Sequence, residues 1–486
     1  MALKEQNKKY QGLPDYKKCQ FFTPEKTSED MINMVGYNDC KIDSLFLECS
    51  CGTGAILCKA VEAFILKYRS LLSTEELKKR LENQFVGYEI DEEKISLCRL
   101  NLNAIVLKYA LPEIKWNLRC EDFLDDNNLP DFDYIVGNPP YVSYINLSRE
   151  TREKLKKRFI TCANGKFDYC FPFIEKCLMH LNPSGKLIFI TPESIFKTAS
   201  ASVLRGLMLP KLEIVDASLR NNVFKTARVT PSIFYINNAF AGDCFKYINK
   251  KKEIVYVNKT DISTDKKWLF SLSLSKGSAR FGDYFNVSNS VATLSNDLFL
   301  LKKGTFENDY FVTDEGEKVE KRIVKLAVSP SMKRRRVSAY ILFPYNDDGT
   351  SFNEEHLKKH YPFAYLYLKR RQDQLTDRDR DLNALWFQYG RSQSLKLAAV
   401  EKYCLSIFVT GEPSLWYCNS GSVVFSGIVI SEKDGGLPLS LVPRVLLSDS
   451  FKEYVESAGV PSSGRSWRIT STDLKEYCFD AKSYIS

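Results

Sequence analysis

The chain is predicted to be an α/β protein whose N-terminal half carries an open, mostly parallel sheet. Short apolar runs that end in glycine, proline or acidic residues recur at 45–48, 85–91 and 131–141. A helical apolar pattern follows the first of these runs. Because strands that alternate with helices favour parallel pairing, the three runs are predicted to be strands of one parallel sheet.

The segment 131–141, Asp-Phe-Asp-Tyr-Ile-Val-Gly-Asn-Pro-Pro-Tyr, is the most informative part of the sequence. Its apolar residues predict a buried strand that ends at Gly137. Pro139 and Pro140 fix φ and have no backbone N–H, so neither a helix nor a strand ladder continues through them. A rigid loop is therefore expected at the carboxyl end of a strand, where open α/β sheets place their ligands.

This loop presents the side-chain amide of Asn138, carbonyl groups that can accept hydrogen bonds and the ring of Tyr141. An amide oxygen and a carbonyl can accept both hydrogens of an exocyclic amino group while a ring stacks on a planar base. By itself the tetrapeptide is equally compatible with a turn that ends a strand and a tyrosine that packs in the core. The neighbouring motifs decide between these interpretations.

A glycine-rich turn follows the first strand. Glu48 ends the strand, and Ser50, Gly52 and Gly54 lead into the helical pattern. Glycine lets the backbone approach a ligand closely at the start of a helix, although a simple helix cap gives the same pattern. The turn alone is therefore a weak signal of a binding site.

Two further strands end in acidic residues. Glu89 closes the second strand and can accept hydrogen bonds from both hydroxyls of a ribose. Asp122 follows a third candidate strand and stands beside Phe123. We expect the carboxylate of Asp122 to accept from an adenine amino group and Phe123 to pack on the adenine ring.

The order and spacing of these four strand ends resemble the class I S-adenosylmethionine-dependent methyltransferases, and more narrowly the gamma-class DNA amino methyltransferases of restriction–modification systems. A further motif of that class is matched by Phe-Phe-Thr-Pro-Glu at 21–25, ahead of an amphipathic helix predicted at 26–35. The resemblance implies a Rossmann-like methyltransferase domain with a mostly parallel seven-stranded sheet at 1–245. It implies an α+β target-recognition domain at 246–486.

The resemblance implies S-adenosylmethionine as the cofactor and assigns its contacts. The residues implied at its methionine end are Thr23, Glu48, Ser50, Gly52 and Gly54. Glu89 is implied to hold the ribose, and the residues implied to frame the adenine are Ile90, Asp122 and Phe123. One departure from the class is Cys49, where proline is common, but the acid and both glycines remain.

The resemblance also implies how the target base is held. Asn138, Pro139, Pro140 and Tyr141 are implied to hold a base that has flipped out of the duplex. Phe224 is implied to pack on the other face of that base. The alternative for Phe224 is a core phenylalanine at the start of a strand.

Composition excludes several classes of protein. The 486 residues, 44% hydrophobic and 27% charged, suggest an ordinary soluble protein of two or three domains. No apolar run approaches 18 residues and the polar start has no hydrophobic core, so neither a membrane span nor a secretory signal is expected. The 14 cysteines form no Cys-x-x-Cys pair and there are three histidines, so we expect free thiols in a reducing cytoplasm and no metal site.

Positive charge is concentrated after the proline loop. Residues 1–150 hold 19 basic and 24 acidic side chains, whereas residues 151–250 hold 16 and 7. A basic helix capped by Ser148 is predicted at 148–160. A nucleic acid presented to the proline loop would lie where this positive balance begins, although a solvated surface is the alternative.

Basic loops in the C-terminal half are predicted to bind double-stranded DNA. One cluster can neutralise phosphates or form a solvated loop, and it consists of Lys333, Arg334, Arg335 and Arg336. Arg391 and Gln393 have side chains of the kind that read purine edges in a major groove, and contacts to phosphates are the alternative. Arg465 lies in a second basic loop of the same character.

The resemblance implies sequence-specific methylation of adenine N6 by a monomer in the prokaryotic cytoplasm, associated with the nucleoid. The implied role is protection from a restriction endonuclease that acts separately. Adenine is favoured over cytosine N4 because cytosine enzymes more often have serine at the position of Asn138.

Three alternatives stay open. The same Asn-Pro-Pro-Tyr loop serves methyltransferases that act on RNA or on a protein glutamine, but those usually have a small N-terminal domain rather than a large C-terminal one. A non-catalytic specificity subunit is disfavoured by the intact motif residues. A fused nuclease is disfavoured because only about 40 residues precede the glycine-rich turn.

Overall fold

The computed structural model describes residues 22–219, 230–270, 279–335, 337–462 and 466–485. The chain divides into two compact units, 1–270 and 271–486. The first unit extends beyond the expected boundary at residue 245 because two further strands, Cys244–Ile248 and Ile254–Asn258, extend its sheet. Phe224, Arg336 and Arg465 lie outside the described residues, so the predictions made for them stay predictions.

A nine-stranded sheet forms the centre of the first unit, in the order β3-β2-β1-β4-β5-β7-β6-β8-β9. Strand β7 is antiparallel to β5 and β6, β9 is antiparallel to β8, and the other neighbours pair in parallel. The strands are β1 Phe46–Glu48, β2 Phe85–Tyr88, β3 Asn117–Arg119, β4 Phe132–Gly137, β5 Leu181–Pro192, β6 Leu212–Asp216, β7 Pro231–Asn237, β8 Cys244–Ile248 and β9 Ile254–Asn258.

The α/β class with a mostly parallel sheet is confirmed. The strands β1, β2 and β4 run side by side in parallel and are mostly buried, which explains their near-continuous apolar sequences. The sheet has two strands more than the seven expected, because the hairpin of β8 and β9 joins it through β6.

Helices connect the strands of the first unit. They are α1 Glu25–Met34, α2 Ala55–Tyr68, α3 Thr74–Gln84, α4 Glu92–Lys108, α5 Arg149–Arg158, α6 Cys170–Met179 and α7 Ser202–Met208. Two predicted helices are confirmed with slightly different bounds, α1 and α5. Ser148 caps α5, since its hydroxyl accepts from the backbone N–H of Thr151 at 3.0 Å.

The second unit is a mixture of short strands and helices. Its strands are β10 Ala279–Arg280, β11 Phe285–Asn289, β12 Leu300–Leu301, β13 Gly304–Glu307, β14 Tyr310–Thr313, β15 Lys318–Glu320, β16 Val324–Val328, β17 Ala339–Leu342, β18 Lys402–Leu405, β19 Phe408–Thr410, β20 Leu415–Cys418, β21 Ser422–Val424, β22 Ile428–Glu432, β23 Val460–Pro461, β24 Ser466–Arg468 and β25 Cys478–Phe479. These strands form small sheets, of which the two largest have four strands each, in the orders β11-β22-β18-β20 and β12-β17-β16-β21.

The helices of the second unit are short. They are α8 Phe281–Tyr284, α9 Asn296–Phe299, α10 Pro330–Arg335, α11 Glu354–His360, α12 Pro362–Lys369, α13 Gln372–Thr376, α14 Val442–Leu446, α15 Asp449–Ala458, α16 Ser471–Glu476 and α17 Lys482–Ile485. Helix α11 ends at His360 and α12 begins at Pro362. Proline is tolerated at this position because it lies in the first turn of α12. Within the described ranges, no helix is both long enough and apolar enough to cross a membrane.

Candidate active site

A solvent-open cleft of about 720 Å³ lies in the first unit, where the segments that follow β1, β2, β3 and β4 meet. These strands are parallel, so their carboxyl ends share one edge of the sheet. The residues that line the cleft are Phe22, Cys49, Ser50, Gly52, Glu89, Ile90, Lys94, Glu121, Asp122, Phe123, Asn138, Pro139, Pro140, Tyr169 and Phe173. The fold therefore brings most of the predicted site residues together in one place.

Asn138 is held from two directions at the end of β4. Its side-chain Nδ2 donates to Oγ1 of Thr23, 3.1 Å away, and its backbone carbonyl accepts from the hydroxyl of Ser50 at 3.0 Å. These two contacts tie the proline loop to the segment before α1 and to the glycine-rich turn. The amide of Asn138 is thereby oriented before any ligand binds.

Glu89 connects the second strand to the glycine-rich turn. Its Oε2 accepts from the backbone N–H of Gly52 at 3.0 Å, and its Oε1 accepts from the N–H of Asp91 at 2.9 Å. Each carboxylate oxygen keeps a further lone pair that can accept from a ligand hydroxyl. The carboxylate is thus fixed in position and still able to bind a diol.

Two residues of the glycine-rich motif, Glu48 and Gly54, stabilise the turn. Glu48 is 3% exposed and accepts from the N–H of Leu57 at 3.0 Å, and burial raises the pKa of its carboxyl well above the usual range. Gly54 has φ +86°, and a Cβ there would lie 2.6 Å from Sγ of Cys98 on α4. Gly54 is therefore required for helix packing as well as for its left-handed conformation.

The segment after β3 forms a 3-10 turn, Phe123–Asp125, that faces the cleft. Asp122 caps this turn by accepting from the N–H of Leu124 at 2.9 Å, and burial raises the pKa of its carboxyl. The ring of Phe123 packs edge-on against Tyr88 and stacks on Phe173, with ring centroids 5.3 and 5.8 Å apart. Phe123 is therefore fixed by its neighbours.

Tyr141 occupies a more enclosed position than expected. It is 5% exposed, and its hydroxyl donates to the backbone carbonyl of Ile190 at 2.5 Å. Burial raises the pKa of this hydroxyl well above its usual range. The prediction that the ring stacks on a base therefore depends on the small part of Tyr141 that remains accessible.

Six residues of the cleft lining were not predicted from the sequence as site residues, namely Phe22, Cys49, Lys94, Glu121, Tyr169 and Phe173. Phe22 lies in the motif before α1, so a closer reading of that motif points to it. Lys94, Tyr169 and Phe173 lie in or just before helices, and their patterns are typical of helix surfaces or core packing. The tertiary fold alone brings them to the cleft.

The basic residues predicted to bind DNA lie in the second unit. Lys333, Arg334 and Arg335 form the exposed last turn of α10. Arg391 pairs with Asp379 at 2.6 Å and, more distantly, with a second acidic residue of the same loop.

Gln393 is also engaged within the second unit. Its Nε2 donates to the backbone carbonyl of Ser290 at 2.6 Å. Its role in reading a base, like that of Arg391, stays a prediction.

No cluster of three or more histidine, cysteine, aspartate or glutamate residues within the described ranges is arranged to hold a metal ion.

Comparison with known proteins gives several relatives of this chain, among them the following two. It is 25% identical over 319 residues to the type II restriction enzyme and methyltransferase RM.Eco57I of Escherichia coli, covering 56% of this chain and 32% of that protein. It is 31% identical over 192 residues to the type II methyltransferase M.HincII of Haemophilus influenzae, covering 39% and 31%. The chain thus spans about a third of the length of these relatives.

A solved structure shares the fold. The type IIL restriction-modification enzyme MmeI, solved in complex with DNA, aligns with a TM-score of 0.63 and 12% identity, covering 97% of this chain and 70% of that one. Residues 55–224 match the family described as Eco57I restriction-modification methylase. The chain is thus similar, over this segment, to the Eco57I restriction-modification methylase family and, over part of its length, to type II methyltransferases.

Proposed function

We propose that the chain is an S-adenosylmethionine-dependent DNA methyltransferase that acts on adenine N6 of a flipped base. The observation that carries this proposal is the single cleft in which the glycine-rich turn, Glu89 and Asp122 meet Asn138 and Pro139. A cleft for a nucleoside cofactor that adjoins a polar proline loop suits the transfer of a methyl group from that cofactor to an amino group. The family match over 55–224 supports the same reaction class.

The residues of the cleft fit the cofactor. Glu89 is fixed by two backbone N–H groups and can accept from the ribose hydroxyls. Asp122 can accept from the adenine amino group beside the ring of Phe123. The acidic side chains of the cleft also suit a ligand that carries positive charge on its sulfonium and ammonium groups.

Asn138 and Pro139 are suited to bind the target amine. The backbone carbonyl of Asn138 accepts from Ser50, and the side-chain oxygen of Asn138 and the carbonyl of Pro139 are proposed to accept the two amine hydrogens. Two acceptors draw the amine towards a tetrahedral geometry, in which its lone pair is less delocalised into the ring. Positioning and electrostatics then carry the rate enhancement.

When bound, the cofactor supplies an electrophilic methyl group on sulfur. That methyl group would pass to the base nitrogen that Asn138 and Pro139 hold, with the sulfur as the leaving group and the displaced proton released to solvent. Asn138 and Pro139 hold the nitrogen throughout and need not act as a general base. A duplex hides the amino group, so the base must first flip out at a cost of a few kcal/mol.

The basic residues of the second unit are proposed to hold double-stranded DNA, with Arg391 and Gln393 reading bases. The whole protein is proposed to act as a monomer that protects sites from a separate restriction endonuclease. Relatives of this kind carry type II restriction–modification names, which supports the proposed biological role.

A direct assay tests the proposal. Purified protein is incubated with unmethylated DNA and S-adenosylmethionine carrying an isotopically labelled methyl group, and the DNA is digested to nucleosides for mass spectrometry. Labelled N6-methyladenine is expected with the wild type and not with Asn138→Ala. Labelled N4-methylcytosine alone would overturn the choice of base, and label transferred to RNA or protein but not to DNA would overturn the substrate class.

A further inference from the structure

Lys94 is the single cation among the described residues that line the cleft. The other charged residues of this lining are Glu89, Glu121 and Asp122. Lys94 lies in the first turn of α4 and is half-buried. A ligand in this cleft therefore contacts a mostly acidic lining that contains one basic side chain.

The ammonium of Lys94 faces an aromatic ring and, among the described residues, has no carboxylate partner within 4.0 Å. Its Nζ lies 5.3 Å from the centroid of the Phe22 ring. Lys108, at the other end of the same helix, pairs instead with Glu62 at 2.6 Å. The charge of Lys94 is thus available for an anion at the cleft, although acidic residues surround it in the sequence.

The position of Phe22 shows at which end of the cleft Lys94 lies. Phe22 is 56% exposed, and a Cβ on Gly52 would lie 3.9 Å from its ring. The next residue, Thr23, contacts Asn138 at 3.1 Å. Lys94 therefore lies on the side of the glycine-rich turn and the proline loop, whereas Asp122 and Phe123 belong to the segment after β3.

We infer that Lys94 binds the carboxylate of the cofactor's amino acid moiety; this inference rests on the proposed function. That carboxylate is the one anionic group of the cofactor, and the acidic lining would otherwise repel it. Phe22 holds the flexible lysine side chain over its ring, which reduces the entropy lost when the ion pair forms. Lys94 is thus a binding residue that distinguishes ligands with the amino acid moiety from ligands without it.

Calorimetric binding of two ligands tests the inference. S-adenosylhomocysteine carries the carboxylate, and 5′-methylthioadenosine has the same adenine, ribose and thioether without it. Lys94→Met is expected to weaken binding of S-adenosylhomocysteine about fivefold to tenfold and to change binding of 5′-methylthioadenosine less than about twofold. Lys94→Arg should restore most of the loss, and the loss should shrink at high salt.

Arg99→Met provides the matched control, because it removes an exposed cation from the same helix outside the cleft lining. It should leave both affinities unchanged. Equal losses for both ligands in Lys94→Met, or no loss for either, would overturn the role of Lys94 alone. Wild-type protein that binds neither ligand would instead overturn the proposed function, and this inference with it.

Discussion

The side-chain amide of Asn138 donates to the hydroxyl of Thr23, with Nδ2 and Oγ1 3.1 Å apart, although the two residues are separated by 115 positions in the sequence. The contact joins the proline loop after β4 to the segment before α1. Because its nitrogen donates to Thr23, the amide has a fixed orientation at the end of β4. The segment that touches the cofactor in the proposed reaction therefore also orients the group that binds the base.

Asn138→Ala is expected to reduce methyl transfer to less than about a tenth of the wild-type rate, because it removes one of the two acceptors for the amine. Binding of S-adenosylhomocysteine should be nearly unchanged. Steady-state rates and calorimetry measure the two effects. Asn146→Ala, a few residues along the same segment, is the control, and a rate above a tenth in Asn138→Ala would remove Asn138 from the proposed mechanism.

Thr23→Val is expected to lower kcat about tenfold with a change of less than about threefold in cofactor affinity, because it removes the acceptor that orients the Asn138 amide. Thr23→Ser keeps the hydroxyl and should recover most of the rate. A loss of affinity as large as the loss of rate would indicate that Thr23 acts on the cofactor itself.

Glu89→Gln is expected to weaken binding of both S-adenosylhomocysteine and 5′-methylthioadenosine by about tenfold, because both ligands carry the ribose that Glu89 is proposed to hold. Glu92→Gln, exposed at the start of α4, is the control. Glu89→Gln should therefore weaken binding of both ligands, whereas Lys94→Met should weaken mainly the binding of S-adenosylhomocysteine. Selective loss of one ligand in Glu89→Gln would contradict the ribose assignment.

Asp168 provides a test of pH dependence. Burial raises the pKa of its carboxyl to about 6 from a usual value of 3.8, so folding favours the protonated form. This stabilisation is complete below about pH 3.8 and is lost as pH rises through 6.

Asp168→Asn stays neutral and should therefore be more stable than the wild type at pH 8, by roughly 1–3 kcal/mol, with the difference shrinking towards pH 4. Thermal unfolding across this pH range measures the effect. A difference that does not change with pH would show that the carboxyl of Asp168 titrates normally.

Arg391→Ala is expected to weaken binding to cognate DNA more than binding to random DNA, because a base contact contributes only at the correct sequence. Arg391 must give up or share its pairs with Asp379 and Asp381 to make such a contact. Arg370→Ala, which breaks the ion pair with Glu317, is the control. Equal losses on cognate and random DNA would make Arg391 a phosphate contact.

The parts of the site that follow strands could be predicted from the sequence. Glu89 and Asn138 come directly after short apolar strands, Asp122 lies three residues beyond the end of β3, and parallel strands bring such residues to one edge of the sheet. The enclosure of Tyr141 could not be predicted, because it depends on the carbonyl of Ile190 in a strand much later in the chain.

Other features depend on tertiary packing in the same way. In the sequence Lys94 has the pattern of an ordinary helix-surface lysine, and only the tertiary fold places it beside Phe22. The strands β8 and β9 extend the first unit past residue 245, where the sequence had placed the domain boundary. Local patterns therefore predict which residues follow strands, but not which of them become buried.

Sequencing that detects modified bases, applied to DNA from a methylation-deficient bacterial host that expresses this chain, tests the central claim most directly. The account predicts N6-methyladenine at one recurring sequence, and its absence when the host expresses Asn138→Ala at the same level. Unmodified DNA from a host in which the wild-type protein is soluble and binds S-adenosylhomocysteine would contradict the proposed DNA substrate.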